Sequence, residues 1–369
     1  LQSSVFSLQC PVFSLQPYHY RMQRHFCRLR LFLLICYALI SACARAPQEL
    51  VLSGPTMGTT YTVKVVGTPS TVDEAAVRTA LYSVLESIDA DMSTYRPDSA
   101  ISRFNASRSI DWFEVPAALA HVVAAAREVS VRSGGAFDIT IAPLIEAWGF
   151  GPSGEPLALP TEQELAALRE RSGYELLEVR LERPALRKRH PELTIDVNGI
   201  APGYAVDLIA ERFAALGLKS FMIDIGGEVL ARGRNALGTA WQIAVERPVD
   251  EEPQRPFAIL QLEAASVTTS GEYRHYFERD GKRFSHTIDP RVGRPIESYG
   301  SVCVVGPTTL MVDAWATALN VLGPEEGLAL AEKEGLAAMY IVADGEGLHA
   351  RTSSEFRRAV KVVEPRVRN

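Results

Sequence analysis

Cysteine is scarce in this 369-residue sequence, and it is concentrated near the N-terminus. The five cysteines are Cys10, Cys27, Cys36, Cys43 and Cys303. The first three lie in a segment that we expect to be removed on export, and Cys43 is expected to carry a lipid. The remaining chain therefore cannot form an internal disulfide. Cys303 lies in the apolar run Ser301–Val305 and is expected to be a small buried core residue.

The best-known catalytic signatures are also missing. The sequence contains no Walker A loop, no GxGxxG after a strand, no HExxH and no GxSxG. The formal net charge of −6, with no basic stripe beyond the first residues, argues against a nucleic-acid partner. With 47% hydrophobic and 22% charged residues, the chain has a globular composition that allows a sizeable core in one or two domains.

The N-terminal segment has the pattern of an export signal. Met22 begins a basic stretch that is followed by an apolar run, Leu31–Ile40, which is too short to span a membrane. Small residues then precede Cys43, as in a bacterial lipobox. We therefore expect residues 1–21 to be upstream or added sequence, residues 22–43 to be a lipoprotein signal and residues 44–53 to be a tether. We expect the protein to be exported, anchored to a membrane through Cys43 and exposed to the periplasm; a plain signal peptide or membrane anchor is the alternative.

Hydrophobic periodicity and turn residues predict an α+β fold. Met57–Val66 alternates as a strand does, whereas residues 73–87 have a helical apolar face. A second helix is predicted between Pro116 and the glycines at 134–135, and Thr161 with Glu164 forms the pattern of a capping box. A strand is predicted at 193–197, and several more follow residue 220. Helices and strands do not alternate regularly, which favours mainly antiparallel sheets over a doubly wound sheet.

Three local patterns could carry chemistry. Asp313 and Thr317 are four residues apart on a predicted helix, so that a carboxylate and a hydroxyl share one face and could bind Mg²⁺. The glycine turn at 196–203 offers backbone groups that suit a phosphate or a metal. His286 could act as a base, with Arg291 and Arg294 close behind it. Each pattern has an ordinary alternative: a helix-dipole contact, a tight turn, and a histidine packed within a strand.

Eight stretches, taken together, identify a family. In order they are MGTTY, STYRPDSAISRFN, GAFDITIAP with WGFG, DVNGIAPGYAVD, DIGGEV, TSGEYR, SHTIDPRVGRP and DAWATAL. In this order and near this spacing, they resemble the ApbE family of FAD:protein FMN transferases over residues of about 55 to 345. The resemblance implies an ApbE-like (T-fold-like) architecture in a domain at 54–355, with FAD in a cleft between subregions and a C-terminal tail at 356–369.

The resemblance also implies an activity. The FAD pyrophosphate would be cleaved, AMP would leave, and FMN would be joined through its phosphate to a threonine hydroxyl of a target protein. Targets in the family include flavin-carrying subunits of membrane redox pumps outside the cytoplasm. By position in the motifs, Mg²⁺ would be held by Gly199, Asp313 and Thr317, and His286 would be the base. FAD would contact Met57, Tyr95, Ala136, Phe137, Asp138, Asp196 and Ile288.

Two positions depart from the family pattern. Pro202 occupies a position that contacts the flavin nucleotide, where relatives usually carry Lys or Glu, and proline supplies no polar group. Ala316 stands where some relatives have a further carboxylate ligand. Two alternative functions remain open at this stage: a FAD pyrophosphatase in which water replaces the threonine, and a FAD-binding lipoprotein without turnover.

Overall fold

The computed structural model describes residues 49–151, 154, 158–249, 253–272, 276–279, 281–297, 299–344 and 347–363. The predicted signal segment and its lipidation residue Cys43 lie outside the described residues. Within them, no helix is both long enough and apolar enough to cross a membrane. Helices and antiparallel sheets are mixed, so the predicted α+β class is confirmed.

The described helices are unequal in length, and the longest one is broken at Gly323, where φ is 73°. They are α1 Glu74–Met92, α2 Ala100–Ala106, α3 Ala117–Arg132, α4 Ala142–Ala147, α5 Glu162–Glu170, α6 Ala201–Ala215, α7 Thr309–Glu334 and α8 Ser354–Ala359. Two short 3₁₀ turns lie at Ile139–Ile141 and Tyr174–Leu176. The predicted capping box of Thr161 and Glu164 is present at the start of α5.

The described strands pair only in antiparallel fashion. They are β1 Glu49–Thr56, β2 Thr59–Val66, β3 Phe113–Glu114, β4 Leu177–Arg180, β5 Ala185–Lys188, β6 Ser220–Ile225, β7 Glu228–Arg232, β8 Trp241–Glu246, β9 Pro256–Leu262, β10 Ala264–Gly271, β11 Tyr276–Arg279, β12 Lys282–Ser285, β13 Ile288–Asp289, β14 Arg294–Pro295, β15 Gly300–Gly306, β16 Ala337–Asp344, β17 Gly347–Thr352 and β18 Lys361–Val363. The main sheet has the order β1-β2-β6-β7-β10-β15-β16-β17. Two smaller sheets (β18-β9-β8 and β3-β5-β4) and two hairpins (β11-β12 and β13-β14) complete the set.

The main sheet is buried on both faces. One face packs against α1, α6 and α7 in a large apolar cluster that includes Val63, Phe213 and Tyr340. The other face packs against β8, β9 and α8, where Cys303 is fully buried as predicted. Successive side chains along each strand pack alternately into the two clusters, because neighbouring residues of a strand face opposite sides of the sheet.

Two predicted segments contain more regular structure than expected. β1 begins at Glu49, within the predicted tether, because residues 49–56 pair in register with β2. Met57, predicted to begin a strand, lies in the turn between β1 and β2. Near the C-terminus, α8 and β18 fall largely within the predicted tail. Their side chains cover the second face of the sheet, where Phe356 is buried and β18 pairs with β9.

The strand predicted at 193–197 is absent from the described structure. Leu193, Ile195 and Val197 are buried alternately, as the pattern suggested, but the backbone pairs with a side chain instead of a neighbouring strand. Asn105 accepts a hydrogen bond from the Ile195 N–H at 2.8 Å and donates one to the Ile195 carbonyl at 2.8 Å. The amide of Asn105 thus replaces the ladder of a second strand.

Candidate active site

The predicted metal ligands come together where α6 begins beside α7. The backbone N–H of Gly203 donates a hydrogen bond to Asp313 Oδ2 at 3.1 Å, and Asp313 is only 4% exposed. One turn earlier in the chain, Gly199 lies so close to α7 that an added Cβ would be 3.4 Å from Thr317 Oγ1. The fold therefore places the backbone at Gly199 beside the paired carboxylate and hydroxyl of α7.

Further carboxylates surround Asp313. Burial raises the pKa of Asp313 to about 7, and the charge of Asp207 adds to the rise. Burial, followed by the charge of Asp313, raises the pKa of Glu228 well above its usual value. No Lys or Arg is among the groups that shift either pKa. These acidic groups concentrate negative charge at one place, an arrangement that favours a bound cation.

The residues present suit Mg²⁺ better than a metal that needs many charged ligands. Among the described residues, no group of three or more His, Cys, Asp or Glu side chains is arranged to hold a metal. Mg²⁺ needs only one or two carboxylates, because water and substrate phosphate complete its shell of hard oxygens. Asp313, the Thr317 hydroxyl and the backbone at Gly199 supply donors of this kind. Ala316 is fully buried and supplies none.

Asp138 is buried and held by several hydrogen bonds. One carboxylate oxygen accepts from the Thr140 N–H at 2.8 Å and the Thr140 hydroxyl at 2.7 Å, and the other accepts from the Tyr174 N–H at 2.8 Å. Burial raises its pKa to about 6. Ala136 and Phe137 are also buried, and the Phe137 ring lies near Gly199. The predicted flavin segment therefore packs directly against the predicted metal site.

Asp196 lines a cavity of about 440 Å³. Its N–H donates to the Ile139 carbonyl at 2.7 Å, and its carboxylate accepts from the Asn198 N–H at 2.7 Å. Burial raises the pKa of Asp196. Arg108 and Arg171 also line the cavity, and each forms an ion pair with Glu192, another lining residue, at 2.6 and 2.7 Å. The cavity volume lies within the range of small-molecule sites.

The remaining predicted flavin contacts have different environments. Met57 has a φ of 45°, the only positive φ of a non-glycine residue among those described, and such strain is common at functional sites. Tyr95 is 69% exposed, whereas Ile288 is buried among apolar side chains of α4 and α5. Pro202 lies in the first turn of α6, where a proline is tolerated. Neither Met57 nor Tyr95 lines the cavity beside Asp196.

His286 lies in a bend between β12 and β13, so the alternative of a histidine packed within a strand does not apply. The bend is fixed locally, because the Thr287 N–H donates to Ser285 Oγ at 2.9 Å. The His286 ring is half-buried and meets the edge of Phe150 with ring centres 6.4 Å apart. A partly accessible imidazole in a fixed bend suits a group that must exchange protons.

The two arginines that follow His286 are already engaged. Arg291 forms a two-pronged contact with Asp289, including a hydrogen bond of 2.8 Å from Nη2 to Oδ2. Arg294 forms an ion pair with Glu162. Each of these guanidinium groups is thus paired with a carboxylate.

Sequence reasoning missed several polar residues around the site. Asp207 caps the N-terminus of α7 by accepting hydrogen bonds from the Thr309 and Leu310 N–H groups at 2.8 and 2.9 Å. Glu228 and Glu272 lie within stretches used only to recognise the family, DIGGEV and TSGEYR. Glu228 directly precedes the apolar run Val229–Ala231, which was an available signal, whereas Glu272 lies among polar residues and gave none. Asn320 gave no signal beyond its spacing of seven residues from Asp313.

Comparison with known proteins shows which family the chain belongs to. The family model described as the ApbE family matches residues 57–340. The FAD:protein FMN transferase of Vibrio cholerae is 39% identical over 321 residues, covering 86% of this chain and 95% of the relative. That of Salmonella typhimurium is 38% identical over 349 residues, covering 91% and 98%.

Solved structures give the same result. The flavin transferase ApbE from Vibrio cholerae has a TM-score of 0.78 at 38% identity, with 85% of this chain and 99% of that chain covered. The apo flavinyl transferase ApbE of Pseudomonas stutzeri has a TM-score of 0.77 at 41% identity, with 85% and 96% covered. The predicted ApbE-like architecture is therefore confirmed.

Proposed function

The chain belongs to the ApbE family and is an enzyme that transfers flavin from FAD to a target protein, and we propose that it moves FMN to a threonine hydroxyl with the help of Mg²⁺ and releases AMP. The observation that carries the proposal is the position of Asp313 and Thr317 against the Gly199 turn. This donor set lies beside the flavin segment at 136–138, so that the cation and the substrate would meet at one place.

Asp313, Thr317 and the Gly199 carbonyl would hold the cation. When bound, Mg²⁺ would neutralise charge on the phosphate oxygens, as it does in other phosphoryl transfers. The unbalanced charge of Asp313 and its acidic neighbours supports this assignment, since a cation would relieve the cost of burying them. Ala316 contributes no oxygen, so more of the cation's shell would come from water and substrate.

His286 would act as the general base. It would take the proton from the threonine hydroxyl as the threonine oxygen forms a bond to the phosphorus on the FMN side of the pyrophosphate. The bond from that phosphorus to the bridging oxygen breaks, and the bridging oxygen leaves with AMP. Imidazole suits this step because its usual pKa lies near neutral pH.

The cavity beside Asp196 would receive part of FAD. It has both charged and apolar walls and adjoins the buried segment of Asp138 through the hydrogen bond from the Asp196 N–H to Ile139. Pro202 offers no polar group to the flavin nucleotide, so we expect orientation to depend more on the backbone of the neighbouring turn. Met57, in its strained turn, would supply a further contact to FAD.

We also propose that the protein is exported and anchored through a lipid on Cys43, with targets that are flavin-carrying subunits outside the cytoplasm. The basic stretch, short apolar run and small residues before Cys43 support this. In a bacterial host, Cys43→Ala should leave the membrane fraction and lose palmitate labelling. A variant that still takes up palmitate would refute the lipid assignment.

A gel assay tests the proposed function. A soluble form that begins near residue 46 is mixed with FAD, Mg²⁺ and an acceptor domain, and flavin fluorescence is imaged after denaturation. We expect a fluorescent acceptor band that is lost with EDTA and with His286→Ala. A dark band with released AMP would instead indicate the pyrophosphatase, and FAD binding without AMP would indicate a flavin-binding protein.

A further inference from the structure

Glu272 is a buried carboxylate that the proposed chemistry does not use. It follows directly after β10 and is fully buried. Its Oε1 accepts a hydrogen bond from Asn320 Nδ2, whereas its Oε2 has no hydrogen-bond partner among the described residues. Burial raises its pKa to about 7. Since a buried acid with an unpaired oxygen is costly, its presence in this place calls for a function.

Asn320 joins Glu272 to two other segments. Its Oδ1 accepts from the Tyr299 hydroxyl at 2.7 Å, which leaves Nδ2 to donate to Glu272 and, at 3.5 Å, to Thr287 Oγ1. Asn320 and Glu272 are fully buried, and Thr287 is 7% exposed. With both ends of its amide engaged, Asn320 has one fixed orientation.

Thr287 passes this restraint to the bend that carries His286. Its N–H is bound by Ser285, and its carbonyl accepts from the Ile296 N–H at 3.0 Å. The side chain of Thr287 is contacted by Asn320, whose Nδ2 lies 3.5 Å from Thr287 Oγ1. Besides these local hydrogen bonds, the contact between Asn320 Nδ2 and Thr287 Oγ1 links the bend to Asn320 and, through Asn320, to Glu272.

The same helix holds the proposed metal ligands. Asn320 follows Thr317 by three residues and Asp313 by seven, so that all three lie on one side of α7. The distance along the helix from Asp313 to Asn320 is about 10 Å at 1.5 Å per residue. The helix α7 thus carries both the proposed metal ligands and Asn320, the residue that contacts the His286 bend.

We propose that Glu272 is a positioning residue that, through Asn320 and Thr287, fixes the His286 bend relative to Asp313 and Thr317. The inference rests on the proposed role of His286 as base. A base must lie within hydrogen-bond reach of the attacking hydroxyl, and a misplacement of about 1 Å can cost about 100-fold in rate. Glu272 itself contacts neither substrate nor cation.

Glu272→Gln and Glu272→Leu form a matched pair for the test. Glutamine keeps an accepting carbonyl for Asn320, and leucine removes it at similar size. We expect Glu272→Leu to lower kcat by about 10- to 100-fold, with the KM and the binding constant for FAD unchanged, and Glu272→Gln to restore most of the rate. In the apo protein, hydrogen exchange of a peptide covering 285–288 should accelerate in the leucine variant and not in the glutamine variant.

Thr287→Val provides a second route, because it removes only the hydroxyl that Asn320 holds and keeps the side-chain shape. It should lower kcat in the same direction even if Glu272→Leu does not fold. Ser301→Ala is the control. The Ser301 hydroxyl is buried and has no hydrogen-bond partner among the described residues. Ser301 is paired with Ile341 in the neighbouring strand, on the face of the sheet opposite to α7. It should leave kcat and exchange at the bend unchanged.

The outcomes separate the inference from the proposed function. Normal kcat per folded molecule in Glu272→Leu and Thr287→Val, with only a lower melting temperature, would overturn the positioning role. If His286→Ala retained transfer, the assignment of the base would fail first. Inactive His286→Ala together with fully active Glu272 and Thr287 variants would refute the inference alone.

Discussion

The backbone N–H of Gly203 donates to the carboxylate of Asp313 at 3.1 Å, and this contact ties α6 to α7 at the proposed metal site. A Cβ at residue 203 would lie 2.6 Å from the Thr309 carbonyl oxygen and 2.8 Å from the Asp313 Cβ. Glycine is therefore required by the close approach of the two helices, and no side chain fits between them.

Gly203→Ala should disturb stability and activity together. The added methyl would overlap the Thr309 carbonyl oxygen and the Asp313 Cβ. The two helices would therefore have to separate, at a cost of about 1–3 kcal/mol. We expect a lower midpoint in urea unfolding and a higher Mg²⁺ concentration for half-maximal transfer. Wild-type stability and Mg²⁺ response in this variant would show that the helices are not closely packed here.

Asp313→Asn should separate metal binding from folding. The variant keeps the shape and the hydrogen bond from Gly203 but removes a buried charge, so that the apo protein should be no less stable than the parent. The rise in melting temperature that Mg²⁺ gives the parent should disappear. Asp91→Asn is a suitable control, since Asp91 is a half-buried acid on α1 whose pKa is also raised by burial. An Asp313→Asn protein that Mg²⁺ still stabilises would exclude this ligand.

Glu272 should make the stability of the apo protein depend on pH. Burial raises the pKa of Glu272 from 4.5 to about 7, so that between these values the folded state binds more protons than the unfolded state. Protonated Glu272 makes its full contribution to the free energy of unfolding below about pH 4.5. This contribution is lost as the pH rises through about 7, at up to roughly 1.4 kcal/mol per pH unit.

Urea unfolding in EDTA at pH 5 and pH 8 measures this effect. Other buried acids contribute to the total, so the informative quantity is the difference between the parent and Glu272→Gln. The parent should lose stability relative to the variant on going to pH 8. Equal losses in the two proteins would mean that Glu272 titrates near its usual value in the folded state.

Asn105 should support the wall of the cavity beside Asp196. Asn105→Ala removes both hydrogen bonds to Ile195, each worth about 1 kcal/mol net, and should lower stability by about 2 kcal/mol. The KM for FAD should rise, since Asp196 follows Ile195 directly. Asn105→Asp keeps the acceptor and loses the donor, so it should fall between the parent and the alanine variant. An unchanged KM in Asn105→Ala would separate this segment from FAD binding.

Local sequence patterns predicted much of the fold because the interactions involved are local. The capping box at Thr161 and the helix between Pro116 and the glycines at 134–135 involve residues close in sequence. The spacing of Asp313 and Thr317 likewise follows from helix geometry alone. At 193–197 the predicted strand was wrong. The alternating pattern indicates which side chains are buried, but it does not show which group forms hydrogen bonds with the backbone.

The parts that could not be predicted depend on distant contacts. Asn105 and Ile195 are separated by 90 residues, and Glu272 and Asn320 by 48. Nothing near Glu272 in the sequence shows that it meets the middle of α7, and nothing near Gly203 shows that it meets Asp313. The family resemblance supplied candidate site residues, whereas the structure supplied the neighbours that shape the environment of those residues.

The most direct test counts AMP and attached flavin in one reaction. The soluble form is incubated with FAD, Mg²⁺ and an acceptor domain, AMP is measured by chromatography, and the modified residue is located by mass spectrometry. Our account predicts one AMP for each FMN attached, with the FMN on a threonine. AMP release without attached flavin, or attachment without AMP, would contradict it.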